Sequence, residues 1–336
     1  MDKHVLILGL GEHTEELIRR SRQFGTGRYK LIGYLSVNGS HRPQLAGDVP
    51  FLGTSETLRD YIFRNPVDIV LISAPLSPLL SKELLEPILE IGLNVAVPKG
   101  VTVSLESSIL ENAFTRQETF LGMDTTLLTT VPQRKSYLLA KRVMDLIGSA
   151  TGLIGLAPLF LLIALAIKLS SPRAPILYRL DWLGKNGKPF AGYKFRTMVP
   201  DADKLKRQLL AFNEMQGPVF KMSNDPRTTR LGRILRKFSL DELPQLYSVL
   251  KGDLSLVGPR APLRDEAERF EFWQRRKLSV KPGISCLWQI NGRNEIHSFD
   301  EWVRLDLQYI KTASFLLDLR ILVLTIPAVL FGRGAS

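Results

Sequence analysis

Residues 4–11 read HVLILGLG, and this stretch decides the fold class of the first half of the chain. Val5-Leu6-Ile7-Leu8 is a continuous apolar run of strand length, and Gly9-Leu10-Gly11 follows it directly. A helical pattern that contains Leu17 and Ile18 comes next. A buried strand, a glycine turn and a helix in succession are typical of a parallel sheet that is covered on both faces.

Three more apolar runs continue this alternation of strands and helices. They lie at 31–35, 68–72 and 94–97, with helical patterns around 55–64 and 79–91. Such alternation predicts an α/β fold class with a doubly wound parallel sheet. We therefore expect a Rossmann-like N-terminal domain over 1–125, a linker over 126–137 and a second domain over 138–336.

The glycine loop departs from a dinucleotide-binding fingerprint. Thr14 stands where the third glycine is expected, and the second strand ends in Ser36-Val37-Asn38 without the acidic residue that would bind a ribose. These differences disfavour NAD binding. A domain that binds another ligand, or that only packs against a partner, fits the loop better.

The composition excludes several classes of protein and locates the positive charge. Hydrophobic residues at 45% and charged residues at 23% exclude a disordered or collagen-like chain, and one cysteine excludes a disulfide scaffold. The net charge of +12 is uneven, because residues 1–130 have a net charge of −3 and residues 131–336 have +15. The second half therefore predicts an anionic partner: nucleic acid, a phosphorylated substrate or membrane headgroups.

Residues 146–167 read LIGSATGLIGLAPLFLLIALAI and contain no charge. A straight helix of this length measures about 33 Å, enough to cross a hydrocarbon core. Pro158 in its middle predicts a break, and Lys141, Arg142, Lys168 and Arg173 place positive charge at both flanks. We therefore expect a re-entrant helix over about 143–169 rather than a plain crossing, with the buried helix of a soluble protein as the alternative.

A basic constellation surrounds one pair of acidic residues in the second half. The stretches are YKFRTM at 193–198 and DPRTTRLGRILRKFSLDELPQLYSVLKGDLSLVGPR at 225–260. Its cations are Arg227, Arg230, Arg233, Arg236, Lys237 and Arg260. Guanidinium groups around Asp241 and Glu242 are suited to holding a pyrophosphate beside a nucleophile or metal site. The alternative is structural, because Ser239-x-x-Glu242 also matches a helix capping box.

These motifs, taken in order, resemble the bacterial sugar transferases, the monotopic phosphoglycosyl transferases. The resemblance covers about 136–336. It rests on Lys141-Arg142-x-x-Asp145, YKFRTM, SLDELPQL, Gly252-Asp253-x-Ser255-x-Val257-Gly258-Pro259-Arg260, Pro282-Gly283-Ile284 and Trp288-x-x-Asn291-Gly292-Arg293. The first half resembles the Rossmann-like domain of the larger members, although no bundle of membrane helices precedes residue 146.

The resemblance implies a two-step transfer with Asp241 and Glu242 as the catalytic dyad and as ligands of Mg²⁺. Asp241 would attack a UDP-sugar, release UMP and carry the sugar phosphate to polyprenyl (undecaprenyl) phosphate. The residues implied for the phosphates or nucleotide are Lys194, Arg196, Arg227, Arg236, Arg260 and Arg293. The family is also the reason to expect a mainly helical catalytic domain at the cytoplasmic face of a bacterial inner membrane.

Other functions and partners fit parts of the sequence. A nucleotide-sugar oxidoreductase that uses the first domain, and a non-catalytic scaffold for glycan assembly, are the alternatives. The uncharged 22-residue segment argues against a nucleic-acid binder, and a homodimer is expected only from its general frequency. Arg269, Arg275, Arg276 and Lys277 are expected to form a solvated or headgroup-facing helix side, and Trp273, Trp288 and Trp302 to act as core or interface anchors.

Overall fold

The computed structural model describes residues 2–9, 13–24, 28–37, 49–103, 113–132, 134–292 and 296–330. Its backbone divides into two units, Met1–Pro132 and Gln133–Ser336. The division lies inside the segment that the sequence marks as a linker, and each unit is described here by itself.

The first unit is built on a seven-stranded sheet with strand order β3-β2-β1-β4-β5-β7-β6. Its strands are β1 (Lys3–Leu8), β2 (Tyr29–Ser36), β3 (Phe51–Thr54), β4 (Ile69–Ile72), β5 (Asn94–Pro98), β6 (Phe114–Phe120) and β7 (Met123–Thr129). Its helices are α1 (His13–Phe24), α2 (Leu58–Arg64) and α3 (Pro78–Glu90). Strands β1 to β5 pair in parallel, and β7 and β6 continue the sheet antiparallel.

The buried strands follow the apolar runs, so the α/β prediction is confirmed. Val5, Leu6, Ile7 and Leu8 are all 0% exposed in β1. The hairpin β6–β7 was not predicted, and β7 extends to Thr129, into the expected linker. Strand β6 is hard to find from sequence because it is a polar edge strand with mostly exposed residues.

The structure explains one departure at the glycine loop. Thr14 is buried, and its hydroxyl donates to Oγ of Ser73, which in turn donates to the carbonyl of Gly9 at 2.6 Å. A threonine at this position therefore ties α1 to the ends of β1 and β4. Leu10, Gly11 and Asn38 lie outside the described residues, so the rest of the fingerprint has no structural account.

The second unit is mainly helical, as expected, and contains two small sheets. Its helices are α4 (Lys135–Gly155), α5 (Ala157–Ser170), α6 (Ala202–Lys206), α7 (Arg230–Lys237), α8 (Gln245–Lys251), α9 (Arg264–Ala267), α10 (Leu287–Ile290), α11 (Phe299–Thr312) and α12 (Phe315–Leu330). Its strands are β8 (Leu177–Leu183), β9 (Pro189–Phe195), β10 (Ser255–Val257) and β11 (Gly283–Ser285). Strands β8 and β9 pair antiparallel, and β10 and β11 pair in parallel.

The uncharged segment forms two helices that meet at a bend of 58°. Helix α4 ends at Gly155, and α5 begins at Ala157 with Pro158 in its first turn. The interruption lies where Pro158 predicts it, because proline removes a backbone hydrogen bond inside a helix and is well tolerated in the first turn. In the part of the chain that the structure describes, no single helix is long and apolar enough to cross a membrane. The bent pair α4–α5 meets that test by length and composition only.

Helix α4 is fixed to the unit through the residues that precede the uncharged segment. The guanidinium of Arg142 donates to the carbonyls of Val249 and Leu250 at 2.8 Å each, at the end of α8. The carboxylate of Asp145 accepts from the Ser255 hydroxyl and from the backbone N–H of Leu256. Arg142 therefore caps the C-terminus of α8, and Asp145 binds the start of β10.

Lys141 is also used inside the protein rather than at its surface. Its ammonium lies 2.8 Å from the fully buried carboxylate of Asp318 in α12, which also accepts hydrogen bonds from Tyr137 and Tyr309. Lys141 and Arg142 were expected to supply positive flank charge. The structure shows that these two cations also bind Asp318 and the end of α8, and the flank-charge argument for the re-entrant topology stays a prediction.

Candidate active site

A cavity of about 440 Å³ in the second unit brings together residues from β8, β9, α7, α8 and the segments between them. The described residues that the resemblance implied for catalysis and for the phosphates or nucleotide all line it: Lys194, Arg196, Arg227, Arg236, Asp241, Glu242 and Arg260. Arg293 lies outside the described residues. The sequence motifs, spread over 67 positions from Lys194 to Arg260, therefore converge on one cavity.

The acidic pair lies on one turn of 3-10 helix, Leu240–Glu242, between α7 and α8. Ser239, just before it, has φ 51° and ψ 22° in the left-handed region, and its side chain does not cap the turn. The predicted capping box is therefore wrong, because a capping serine needs extended backbone to reach the N–H groups of the following turn. Pro244 occupies the N-cap of α8, two residues after the pair.

Asp241 and Glu242 occupy different electrostatic environments. Asp241 is 8% exposed, and this burial raises the pKa of its carboxyl to about 6. The ammonium of Lys194 opposes that increase, the neighbouring carboxylate of Glu242 adds to it, and the Arg236 guanidinium opposes it. Burial therefore outweighs the favourable charges around this carboxyl.

Lys194 and Arg196 extend from the end of β9 into the cavity. The ammonium of Lys194 lies 2.5 Å from Oε1 of Glu242 and 6.0 Å from the centre of the Trp182 ring. The guanidinium of Arg196 lies over the ring of Tyr178, and its Nε donates to the carbonyl of Pro175. Both cations are thus held in place by aromatic rings of β8.

The three arginines expected at the phosphates are held by different partners. Arg236 donates from Nε to the hydroxyl of Thr197 at 3.1 Å, and burial lowers the pKa of its guanidinium. Arg227 is 4% exposed and forms a short ion pair with Asp225 at 2.6 Å. Arg260 binds both oxygens of Glu266.

These contacts separate the arginines by the role that they can take. Arg227 already has a carboxylate bound to its guanidinium, so its main contribution is to fix the wall of the cavity. Arg260 also has a carboxylate partner, and its side chain is 30% exposed and lines the cavity. Arg236 contacts a neutral hydroxyl, so its charge is the most available of the three.

Several other basic residues that the sequence points to lie outside the cavity or are buried. Arg230, Arg233 and Lys237 are exposed on one face of α7, away from the cavity. Arg275 and Lys277 are 8% and 2% exposed, and Lys277 pairs with the buried Asp306 at 2.7 Å. The expectation of a solvated helix side is wrong for these two residues, because their charges are paired or buried inside the unit.

The aromatic expectation holds for two of the three tryptophans. Trp288 and Trp302 are 7% and 5% exposed, and their rings stack with centroids 4.4 Å apart. Both residues line the cavity as well as the core.

The donor set for a metal consists of two adjacent carboxylates. Among the described residues, no group of three or more His, Cys, Asp and Glu side chains comes together as a metal site. Mg²⁺ commonly uses one or two protein carboxylates and takes its other ligands from water and substrate phosphates. Asp241 and Glu242 therefore fit that ion with a phosphorylated substrate present, and they do not form a preformed cage.

The comparison with known families agrees with the geometry. The family model described as bacterial sugar transferase matches residues 136–332. This match spans more than half of the chain and contains the whole cavity. The chain belongs to the bacterial sugar transferase family.

Individual relatives extend the similarity beyond the catalytic unit. The chain is 43% identical over 239 residues to the galactosyl transferase CpsE of Streptococcus agalactiae, covering 70% of this chain and 52% of that protein. It is 41% identical over 206 residues to the undecaprenyl-phosphate galactose phosphotransferase of Salmonella typhimurium, covering 60% of this chain and 43% of that protein. It is 30% identical over 338 residues to the UDP-galactose-lipid carrier transferase of Erwinia amylovora, covering 99% and 69%. The chain thus spans about half the length of the first two.

The structure adds contact residues that the sequence analysis did not assign. Trp182 and Tyr178 support the two cations of β9, while Asp225 and Glu266 bind Arg227 and Arg260. The DPR spacing at 225–227 was a signal for the first ion pair, because residues two apart in a turn can reach each other. Glu266 lies outside the motifs of the sequence.

Proposed function

We propose that this protein transfers a sugar 1-phosphate from a UDP-sugar to polyprenyl phosphate, in two covalent steps. The observation that carries the proposal is the carboxylate of Asp241, buried at the cavity wall beside the charges of Lys194 and Arg236. Family membership and the names of the relatives support the substrate class.

In the first step, a carboxylate oxygen of Asp241 attacks the β-phosphorus of the UDP-sugar. A new aspartyl O–P bond forms, and the bond from that phosphorus to the bridging oxygen breaks, so that UMP leaves. With a pKa of about 6, the carboxyl is mostly ionised at neutral pH and ready for attack. Lys194 and Arg236 stabilise the charge that develops on the phosphoryl oxygens.

In the second step, a phosphate oxygen of the polyprenyl phosphate attacks the same phosphorus. The aspartyl O–P bond breaks, Asp241 returns as a carboxylate, and the product is a diphosphate-linked lipid sugar. Arg260 is the cation we assign to the acceptor or donor phosphate, because its guanidinium is partly exposed in the cavity.

Mg²⁺ is the cofactor that we propose for this site, held by Asp241 and Glu242. When bound, it would supply charge neutralisation for the diphosphate. Nζ of Lys194 lies 2.5 Å from Oε1 of Glu242, and this ion pair fixes the position of that carboxylate at the cavity.

We further propose that the α4–α5 pair attaches the protein to the cytoplasmic face of a bacterial inner membrane as a re-entrant helix. Apolar side chains are exposed along the pair, among them Ile154 at 77%, Leu161 at 72% and Leu169 at 74%. Both ends of the pair are packed on the same unit, through Asp145 at one end and through Ile163 and Ile167 at the other. This packing supports entry and exit on one side. A homodimer stays a prediction.

The decisive experiment is a screen for UMP release from UDP-sugars, with undecaprenyl phosphate and Mg²⁺, in wild type and Asp241→Asn. We expect UMP and one covalent sugar phosphate per chain without acceptor, and continuous turnover with it. UDP-galactose comes first, because the names of the three relatives contain galactose. Full activity in Asp241→Asn would refute the nucleophile.

A matched control tests whether the loss is specific to the carboxylate of Asp241. Asp253→Asn changes a carboxylate that pairs with Lys251 outside the cavity, so it is expected to keep UMP release.

Cysteine labelling at both ends of the α4–α5 pair tests the topology, and labels on opposite sides would refute re-entrance.

A further inference from the structure

A short basic and apolar segment lies exposed beside the cavity, and neither the sequence motifs nor the proposed chemistry accounts for it. We define this rim segment as residues 204–212, KLKRQLLAF, formed by the end of α6 and the 3-10 helix Arg207–Phe212. Its apolar side chains Leu205, Leu210 and Phe212 are 38%, 54% and 62% exposed. This is an unusual amount of apolar surface for a segment of nine residues.

The charges of the rim segment have one sign. Lys204, Lys206 and Arg207 alternate with the apolar residues, and no acidic residue occurs between 204 and 212. Lys204 pairs with Asp201, and Lys206 lies 3.6 Å from the carboxylate of Asp265. The exposed fractions are 84% and 68% in the first pair and 32% and 59% in the second, so both ion pairs are weak. Cations interleaved with exposed leucine and phenylalanine are typical of a segment that lies in a membrane surface.

The position of the rim segment links the cavity to the proposed membrane helices. Ala202, Asp203 and Lys206 line the cavity, so the segment begins at its mouth. The hydroxyl of Tyr178 contacts both carboxylate oxygens of Asp203 at 3.0 Å. Tyr178 lies in β8, next to Leu177, which is 42% exposed. Strand β8 is the first strand after α5, so the segment is tied to the point where the chain leaves the helix pair.

We propose that residues 204–212 form a second contact with an anionic bilayer surface, next to the mouth of the cavity. The inference rests on the proposed function only for the presence of a membrane. The apolar side chains enter the interface between headgroups and acyl chains, while the three cations bind the anionic headgroups. A lipid acceptor would then meet the cavity at the level of its own phosphate.

The same charges disfavour a second copy of this chain as the occupant. In a two-fold symmetric dimer the same patch lies on both sides of the interface. Three cations would then face three cations across an apolar contact, which is unfavourable because the neighbouring carboxylates of Asp201 and Asp265 already face Lys204 and Lys206 of their own chain. An anionic bilayer satisfies both the charge and the apolar surface.

The test measures contact between position 212 and lipid in the full chain. Phe212→Cys is labelled with a fluorophore and placed in vesicles that contain phosphatidylglycerol and lipids with a spin label on the acyl chain. The native Cys286 is 1% exposed and stays unlabelled. Control labels are Leu162→Cys, at a 65% exposed position near the bend, and Asp181→Cys, whose native side chain is 74% exposed on β8.

We expect the label at position 212 to be quenched roughly threefold more strongly than the label at position 181, as for an interfacial segment. The double variant Lys204→Glu/Arg207→Glu, or pure phosphatidylcholine, is expected to reduce that quenching. Quenching at 162 without quenching at 212 would overturn the rim contact and leave the helix pair in the membrane. No quenching at either position would overturn both. Cross-linking between two copies through position 212 would assign the patch to a dimer and refute the proposal.

Discussion

Nζ of Lys194 lies 2.5 Å from Oε1 of Glu242, and it contacts the second carboxylate of the acidic pair rather than the first. Glu242 is therefore neutralised by a direct ion pair. The same ammonium lowers the pKa of the Asp241 carboxyl through its charge, but burial is the larger effect and raises that pKa to about 6. One lysine thus gives two adjacent carboxylates different properties, which agrees with different roles in the reaction.

The first prediction concerns pH. Because the pKa of Asp241 is raised to about 6, its reactive ionised form is lost as the pH falls through that value. We expect kcat/KM for UMP release to fall about tenfold per pH unit well below 6, and to level off above about 7. A profile from pH 5 to 9 measures this. A flat acid limb would show that Asp241 does not act as the ionised nucleophile.

The second prediction concerns Lys194. Lys194→Met removes the charge that most strongly opposes the increase in the pKa of Asp241. The midpoint of the acid limb should move up by about one pH unit, since a nearby opposite charge shifts a carboxyl by one to three units. Lys194→Arg should restore it. A uniform loss of rate with an unchanged midpoint would mean that Lys194 only binds the donor.

The third prediction concerns the stability cost of the nucleophile. The pKa of the Asp241 carboxyl is raised from 3.8 to about 6 in the folded state, so its protonated form stabilises the fold at low pH. This contribution to the free energy of unfolding is lost as the pH rises from about 4 to about 6. At pH 8, the free energy of unfolding of Asp241→Asn should therefore exceed that of wild type by an amount on the order of 1–3 kcal/mol. Its unfolding temperature should be higher accordingly. The two proteins should converge near pH 4. An equal difference at both pH values would contradict the burial argument.

The fourth prediction compares a buried ion pair with an exposed one. Lys141 and Asp318 are 12% and 0% exposed, so Lys141→Met leaves a buried carboxylate without its cation and should cost about 3–5 kcal/mol. Arg179→Met breaks the pair with Asp181, where both side chains are mostly exposed, and should cost at most about 1 kcal/mol. Thermal unfolding of both variants in the same detergent is the measurement. Equal losses would refute the structural role of the buried pair.

The fifth prediction uses two helical glycines. A Cβ on Gly232 would lie 2.0 Å from the carbonyl oxygen of Thr197, so Gly232→Ala must push α7 away from the strand that carries Lys194. We expect a loss of about 2 kcal/mol or more and a fall in activity. Gly155→Ala meets no atom within 4 Å and should be neutral or slightly stabilising. A harmless Gly232→Ala would contradict the close packing of α7.

Much of the fold follows from local sequence, because burial leaves a local pattern. Strands β1, β2, β4 and β5 coincide with continuous apolar runs, and the break between α4 and α5 follows from Pro158. The hairpin β6–β7 left no such signal, since the residues of β6 are mostly exposed and polar. The hairpin forms because β7 pairs with β5 and β6 pairs with β7, and local propensity does not encode these pairings.

The site was predictable as a set of residues but not as a set of contacts. The motifs identified Asp241, Glu242 and the cations of the cavity. They did not show that Arg227 is bound to Asp225, that Lys277 is buried with Asp306, or that Arg142 caps α8. Lys277 and Arg142 bind partners far away in the chain, which a local pattern does not show, so the pattern overstates the charge available to a ligand.

The contact of Arg142 with the last carbonyls of α8 has a mechanical consequence. Helix α8 begins three residues after Glu242, and its far end is held on α4 by two hydrogen bonds of 2.8 Å. In the proposed membrane arrangement, a thinner or thicker bilayer that tilts α4 would also shift α8, and with it the adjacent Asp241 and Glu242. The acyl-chain length of the host membrane would then act on the reaction rate, without any change in the chemistry of the site.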